Sequence, residues 1–178
     1  MTATDLPLLT ARLRLRELAE SDALFIVTLL NDPDFLRFIG DRGVRNVDDA
    51  KKYLQQGPIK SYQDNGYGMY LVERREDQQP LGISGLVRRE GLAGPDLGFA
   101  FLPAYRAMGY ALEASRAVLD FSMAGLSIDR VLAIVSPGNA PSVALLEKLG
   151  MHSRGTVRLR PDSEELQLYE TIGADDGT

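Results

Sequence analysis

The sequence predicts an α+β domain built on a mixed, largely antiparallel sheet that helices flank. The chain has 178 residues, a length that suits one domain with a substantial core. Alternating and continuous apolar runs of strand length are interspersed with segments of helical periodicity. No repeat, linker or low-complexity segment divides the chain, so we expect one domain over residues 1–178 with a disordered tail at about residues 173–178.

The first elements are a strand and a helix. The stretch RLRLREL at residues 12–18 alternates leucine and arginine, which predicts a half-exposed strand. The stretch SDALFIVTLLND predicts a helix with Ser21 as its N-cap. Apolar residues at helical spacing, Leu24, Val27 and Leu30, are expected to face the core.

Two further helices are predicted before the sheet resumes. In DPDFLRFIG, Pro33 suits a first helical turn and Gly40 ends the helix. In NVDDAKKYLQQGP, Asn46 is the predicted cap and the pair Gly57-Pro58 is expected to stop the helix. Its inward residues are predicted to be Ala50, Tyr53 and Leu54.

The remainder is predicted to be mostly β-structure, giving about seven strands. YGMYLVER and PLGISGLVRR form strands around the turn REDQQ, and PDLGFAFL is a strand that ends at Pro103. A helix then runs to Gly125, with Ala111, Ala114, Val118 and Phe121 on one face, and the apolar stretch RVLAIVS follows as a covered strand. NAPSVALLEKLG is a helix with Asn139 as cap, Pro141 in its first turn and Gly150 past its end, and GTVRLRP with EELQLYETI closes the chain as a hairpin.

Composition excludes several classes of function. The formal charge of −5 argues against a nucleic-acid partner, which usually meets a basic face. Without cysteine there is no disulfide, thiolate ligand or cysteine nucleophile, and with His152 as the single histidine we expect no metal site. Apolar runs reach only about five residues, against the roughly 18 of a membrane span, and the N-terminus lacks the pattern of a signal peptide. A soluble, cytoplasmic protein with no membrane partner is therefore expected.

The stretch AYRAMGYALEAS joins a strand to a helix and carries the clearest chemical signal. A helix N-terminus presents unpaired backbone N–H groups and the positive end of the helix dipole. Gly109 permits backbone conformations that a side chain would obstruct, Arg106 adds a cation suited to phosphate, and Ala111 keeps the first turn small. The stretch is thus a candidate diphosphate cradle, although an ordinary turn beside a solvated arginine has the same spacing. It is neither a P-loop nor a GxGxxG motif.

The pattern Arg106-x-x-Gly109-x-Ala111 resembles the acyl-CoA pyrophosphate loop of the GNAT superfamily of N-acetyltransferases. The wider sequence is similar to the RimJ/RimL type, the ribosomal-protein alanine acetyltransferases. Three stretches agree in order, LLTARLRLRELAESDA, LGFAFLPAYRAMGYALEAS and SPGNAPSVALLEKLGMHSRG. Together they extend from about residue 8 to about residue 160.

The resemblance implies a cofactor site for acetyl-CoA. The strand GFAFL would splay from VLAIV, and the pantetheine arm would enter the gap. Backbone groups of Phe101 and Leu102 would pair with pantetheine amides, as in strand addition, and Asn139 would bond the pantetheine, cap its own helix, or do both. The backbone amides that would hold the pyrophosphate are those of Arg106, Ala107, Met108, Gly109, Tyr110 and Ala111.

The resemblance also implies catalytic candidates. Many family members carry a tyrosine that protonates the leaving thiolate where this chain has Leu146. Ser142 lies four residues earlier on the same helix face and matches a serine that is thought to contact the sulfur in the RimJ/RimL type. Ser142 is alternatively a first-turn serine that bonds the helix backbone, and a neutral hydroxyl is a weak acid.

A general base is harder to assign. Asp96 is a candidate because it heads the strand that leads to the acetyl site, and Glu73 and Glu170 are weaker candidates. Each is equally explained as a surface carboxylate, and His152 is expected to be structural. A dedicated base need not exist.

The expected reaction is direct attack of a primary amine on acetyl-CoA through a tetrahedral intermediate. The acceptor is a protein N-terminus or a small amine, recognised by FLRFIGDRGV, residues 67–75 and the closing hairpin. Tyr67, Tyr70 and Tyr169 either line an amine channel or belong to the core. A homodimer is left open. The alternative function is a non-catalytic acyl-CoA-binding sensor or scaffold, which Leu146 and the unassigned base leave standing.

Overall fold

One mixed sheet organises the described part of the chain. The computed structural model describes residues 5–172, so the predicted tail at residues 173–178 lies outside them. Within these residues the sheet has eight strands in the order β1-β2-β3-β4-β5-β6-β8-β7. β5 and β6 are parallel and the other neighbours are antiparallel. The strands are β1 Leu8–Leu9, β2 Leu13–Glu17, β3 Met69–Arg74, β4 Pro80–Val87, β5 Asp96–Phe101, β6 Leu132–Val135, β7 His152–Val157 and β8 Leu166–Glu170.

Helices cover both faces of this sheet, which confirms the predicted α+β layers. One apolar cluster joins α1, α2 and α3 to Leu71 and Ile83 on one face. A second joins α5 and α6 to Leu97 and Phe101 on the other face. The helices are α1 Ala23–Leu30, α2 Pro33–Phe38, α3 Val47–Leu54, α4 Lys60–Asn65, α5 Tyr110–Ala124 and α6 Ala140–Lys148.

The start and the inward face of α1 differ from the prediction. Ser21 lies within a 3₁₀ turn, Glu20–Asp22, and is not the N-cap. Of the three residues expected to face the core, Leu30 is buried and Val27 packs against the core, but Leu24 is 70% exposed. The sequence ALFIVTLL is apolar nearly all round, so its periodicity does not select one side. The buried residues of α1 are Ala23, Ile26, Leu29 and Leu30.

The third helix does not stop at Gly57-Pro58, as the sequence had suggested. The chain continues through a π turn, Gln55–Ile59, and then forms α4. Because proline has no N–H, the regular hydrogen-bond ladder is interrupted at Pro58. The wider π turn carries the chain past this interruption. The helix ends instead at Gly66, which has a left-handed conformation with φ 77°.

Several local predictions are confirmed. Pro33 lies in the first turn of α2 as predicted, and Asp32 caps this helix by accepting from Phe35 N–H at 3.2 Å. Asn46 caps α3 by accepting from Asp49 N–H at 2.8 Å. The hairpins β3–β4 and β7–β8 form where predicted. These features depend on neighbouring residues, which is why the local sequence identifies them.

Candidate active site

The two edges of β5 are built differently. Along one edge β5 pairs with β4 from Val87↔Asp96 to Gly82↔Phe101. Along the other edge, β5 pairs with β6 at one position, Asp96↔Leu132. Beyond that pair the two parallel strands diverge, which confirms the predicted splay. The gap is closed at Asp96 and open at the carboxyl ends of both strands.

Strand alternation decides which backbone groups face this gap. Leu102 N–H donates to Leu81 O at 3.0 Å, and Leu102 O accepts from Tyr105 N–H at 3.0 Å. The N–H of Leu102 is therefore engaged with β4 and its carbonyl oxygen with the following turn, whereas Leu102 was predicted to pair with pantetheine beside Phe101. Since alternate residues of an antiparallel strand pair with the same neighbour, the backbone of Phe99 and Phe101 faces the gap.

The loop after β5 presents free amides, as a diphosphate cradle requires. Gly109 is the N-cap of α5 with φ 81°, a left-handed conformation that favours glycine. The helical ladder begins with Glu113 N–H donating to Gly109 O at 3.1 Å. Over the part of the chain described, the amides of residues 107–112 make no backbone hydrogen bond. The Arg106 amide, which was predicted to join them, donates to Pro103 O at 3.3 Å.

Ala107 contributes to the same loop in a way that the sequence does not reveal. Its φ is 58°, so a residue with a Cβ occupies the left-handed region. Successive amides with alternating backbone hand form a concave anion site. An alanine in the sequence does not indicate a left-handed backbone conformation, so this feature could not be predicted.

The Arg106 side chain does not provide a free positive charge, contrary to the prediction. Its guanidinium contacts Asp32 at 2.5 Å and Asp34 at 2.6 Å. Its Nε also donates to Phe101 O at 2.9 Å. These carboxylates lie 72 and 74 positions earlier in the chain, so the local motif gave no sign of them.

Arg12 is a residue that the sequence analysis missed as part of this loop. Its Nη1 donates to Met108 O at 3.0 Å, and its guanidinium lies over the Tyr110 ring at 4.4 Å. Its Nε bonds Glu113 at 2.7 Å, and Glu113 also accepts from the Thr10 hydroxyl at 2.6 Å. Burial opposes the charge of Glu113, but these hydrogen bonds outweigh it and lower its pKa. The loop is thereby fastened to the start of β2.

The first turn of α6 borders the gap on the side of β6. Asn139 is the N-cap, and its Oδ1 accepts from Ser142 N–H at 3.4 Å. The backbone N–H of Ser142 thus takes part in the helix cap. Among residues 5–172 its hydroxyl has no hydrogen-bond partner. Leu146, one turn later on the same face, is fully buried in the core. The half-buried Ser142 hydroxyl is therefore free for another partner.

Of the candidate bases, Asp96 lies beside the gap. It is 1% exposed, and Arg89 Nε donates to both of its carboxylate oxygens, at 3.1 and 3.2 Å. Burial raises the pKa of Asp96, and the attraction of Arg89 offsets this only in part. Glu73 lies on β3, two strands away from β5, and is held by Arg16 at 2.6 Å.

The remaining predicted residues lie away from the gap or in the core. Glu170 bonds Arg130 at 2.8 Å, which lowers its pKa. His152 is exposed on the edge strand β7. The tyrosines considered for an amine channel are buried in the core on the α5 face, and burial raises the pKa of Tyr70 to about 12. Those tyrosines are Tyr67, Tyr70 and Tyr169.

A cavity of about 300 Å³ lies on the other face, between the α3–α4 segment and strands β3 and β4. Tyr53, Met69 and Val87 are among its lining residues. A Cβ placed on Gly98 would lie 3.2 Å from Met69 Sδ and 3.9 Å from Val87 Cγ2. Two residues that line the cavity, Met69 and Val87, therefore lie next to Gly98 in the middle of β5.

Two classes of site are not found in the described residues. Between residues 5 and 172 there is no group of three or more histidine, aspartate or glutamate side chains placed to hold a metal ion. Within the same span no helix is both long and apolar enough to cross a bilayer.

Comparison with known proteins defines the class. The acetyltransferase (GNAT) domain family matches residues 12–152. YkkB of Bacillus subtilis (strain 168), an uncharacterized protein, is 30% identical over 156 residues, which are 85% of this chain and 88% of YkkB. YnaD of the same strain, an uncharacterized N-acetyltransferase, is 29% identical over 146 residues, 82% of each chain. The chain belongs to the GNAT acetyltransferase family, as the sequence predicted.

The family establishes an acetyl-CoA-dependent acetyltransferase, an enzyme that transfers an acyl group from acetyl-CoA. The solved structure of the ribosomal-protein-S5-alanine acetyltransferase from Vibrio fischeri matches with a TM-score of 0.78 at 17% identity. The match covers 96% of this chain and 98% of that one. This match shows that the two chains share the same fold.

Proposed function

We propose that this enzyme transfers the acetyl group of acetyl-CoA to the nitrogen of a primary amine. The observation that carries the proposal is the unpaired edge of β5, which ends at a loop of free amides. An extended pantetheine arm fits such an edge as an added strand. A diphosphate fits amides at a helix N-terminus. The residues present are therefore those that acetyl-CoA requires.

The backbone supplies most of the binding groups. Phe99 offers its N–H and C=O groups, and Phe101 offers its N–H, to the pantetheine amides, because β6 does not pair with this part of β5; the Phe101 carbonyl already accepts from Arg106. Residues 107–111 offer amides to the diphosphate, and Gly109 leaves room for it. Asn139 has its Oδ1 engaged as a cap, so its Nδ2 is the group left to bond the pantetheine. Acetyl-CoA supplies the activated acetyl group.

Two side chains then assist proton movement. The Ser142 hydroxyl donates a hydrogen bond to the sulfur as the thiolate leaves, an interaction that strengthens as negative charge develops. Asp96 accepts the proton lost by the amine through a water molecule, and its raised pKa makes it a stronger base than an exposed carboxylate. No acyl-enzyme is formed, because nitrogen attacks the thioester carbon directly.

The acceptor enters from the cavity beside Gly98. Its volume of about 300 Å³ is at the small end of ligand pockets. A small amine fits this volume, as does the first residue of a peptide. The proposed acceptor class is therefore a primary amine whose nearest substituents are small.

The test combines binding with turnover. At 100-fold excess over its dissociation constant, acetyl-CoA should stabilise the fold by about 2.7 kcal/mol, a melting shift of roughly 5–11 °C. Release of free thiol is then measured with a panel of small amines and short peptides. Turnover with one or more of them supports the proposal. Binding of acetyl-CoA without turnover across the panel contradicts the proposal and favours a non-catalytic sensor. The lack of turnover would then be explained by the buried Leu146, which stands where many family members have a tyrosine.

A further inference from the structure

The short helix α2 is attached to both sides of the cofactor gap. At its N-terminal end, Asp32 and Asp34 bind the guanidinium of Arg106, just after β5. At its C-terminal end, Phe38 O accepts from the Ser136 hydroxyl at 2.8 Å, and Ser136 directly follows β6. The helix therefore bridges the carboxyl ends of the two strands that diverge.

The length of α2 matches the width that an inserted chain requires. The helix has six residues, which at 1.5 Å per residue is about 9 Å. Neighbouring strands lie about 4.8 Å apart, so two such spacings are about 9.6 Å. A bridge of this length suits two strands that lie one strand-width further apart than paired strands. That space admits one extended chain between them.

The attachment at β5 is built into the fold. Asp32 is buried, caps α2 and binds Arg106 with the same carboxylate. Arg106 in turn donates its Nε to Phe101 O, on the edge that faces the gap. One guanidinium thus fixes the end of β5, the start of α2 and the loop of free amides together.

We propose that α2 is a spacer that sets the width of the cofactor gap, and that Arg106 and Ser136 are its positioning residues. The inference rests on the proposed function, in which the gap receives the pantetheine arm. Arg106 then acts on acetyl-CoA through α2 and the strand, with its charge already neutralised by two carboxylates. Ser136 acts in the same way from the other side.

The experiment measures affinity for CoA by calorimetry in Asp34→Asn, Ser136→Ala and the double variant. Asp77→Asn is the matched control, because Asp34 and Asp77 are 54% and 45% exposed and each pairs with an arginine. We expect each attachment variant to bind CoA about threefold to tenfold more weakly, as for loss of one hydrogen bond. The control should match the wild type. Melting temperatures confirm that all variants are folded.

The double variant and a truncated ligand sharpen the test. If both contacts hold one spacer, the double variant should bind CoA within about twofold of the weaker single variant. Pantetheine, which has no diphosphate, should lose affinity by the same factor as CoA. A loss confined to CoA would overturn the proposal, because it would place the effect at the phosphates.

Other outcomes are equally decisive. Tighter CoA binding in Asp34→Asn would show that Arg106 is a phosphate ligand released from its partner. A wild-type affinity in Ser136→Ala would show that α2 does not act from the β6 side. In both cases wild-type turnover leaves the acetyltransferase proposal standing, whereas a wild type that does not bind CoA removes the proposed function and the spacer together.

Discussion

The two edges of β5 have opposite relationships with their neighbours. Towards β4 the strand is paired along its length, and glycines let the backbones and rings approach closely. Towards β6 it meets its neighbour at Asp96↔Leu132 and then departs. A single strand thus provides stability with one edge and unpaired backbone groups with the other.

The tight edge and the open edge of β5 depend on different neighbouring groups. A Cβ on Gly82 would lie 2.8 Å from the Phe101 ring and closer still to Ala100 O, so the tight edge depends on a missing side chain. The open edge is bordered by added structure at its carboxyl end, because α2 is attached to Arg106 and Ser136 and α6 begins shortly after β6. Substitutions at the two edges should therefore affect different measurements.

The largest effect on stability is expected from adding a side chain at Gly82, where β4 and β5 pack closely. Gly82→Ala should lower the free energy of unfolding by about 3 kcal/mol, because the new methyl meets backbone and ring atoms that cannot rotate away. Urea unfolding measures this. Gly57→Ala is the control, since nothing lies within 4 Å of its added Cβ, and it should be neutral or up to about 1 kcal/mol stabilising in a helical segment. A Gly82→Ala protein as stable as the wild type would mean that β4 and β5 separate easily.

The next largest effect, on CoA affinity, is expected at Gly109 in the loop of free amides at the open edge of β5. Gly109→Val should weaken CoA binding by at least about 100-fold, equivalent to about 2.7 kcal/mol, because a side chain in this left-handed position, with its Cβ 3.3 Å from Arg12 Nη2, disturbs the loop proposed to hold the diphosphate. Gly150→Val is the matched control: its φ of 82° nearly equals the 81° of Gly109, so the backbone strain is the same. Calorimetry should find normal CoA affinity in the control. Normal affinity in Gly109→Val would place the diphosphate elsewhere.

A smaller change is expected in turnover at the far side of the gap. Ser142→Ala should reduce kcat about tenfold to 100-fold, or about 1.4–2.7 kcal/mol, with little change in CoA affinity. Its stability should stay near that of the wild type, because the helix is capped by Asn139 and Ser142 contributes its N–H. Ser153→Ala, an exposed hydroxyl on β7, is the control for activity. An unchanged kcat in Ser142→Ala would transfer the sulfur contact to water.

The smallest effect on stability is expected from Glu113, which helps to hold the loop to the start of β2. The pKa of Glu113 is lowered in the folded state, so its contribution to stability is present above its unfolded pKa of 4.5 and is lost as pH falls through the folded value. Glu113→Gln should cost about 1 kcal/mol at pH 7. It should also flatten the decline in stability below pH 4.5. Urea unfolding at several pH values measures both, and an unchanged acid profile would contradict the role of Glu113.

Local sequence was enough for the features that depend on near neighbours. The caps at Asn46 and Asn139, the hairpins and the left-handed Gly109 follow from residues within a few positions. The direction of Leu102, the partners of Arg106 and the place of Arg12 at the loop could not be predicted. Each depends on segments about 20 to 100 positions away, which become neighbours only when the sheet forms.

The π turn before α4 has an evolutionary consequence. It contains one residue more than a regular turn, so every later residue of the helix is rotated by about 100°. The rotation places Tyr62 where its hydroxyl accepts from Leu18 N–H at 3.0 Å and donates to Met69 O. A one-codon deletion within Gln55–Ile59 would turn this tyrosine away from both partners and place Pro58 in a regular ladder. Natural selection is therefore expected to preserve the length of this segment more strictly than its composition.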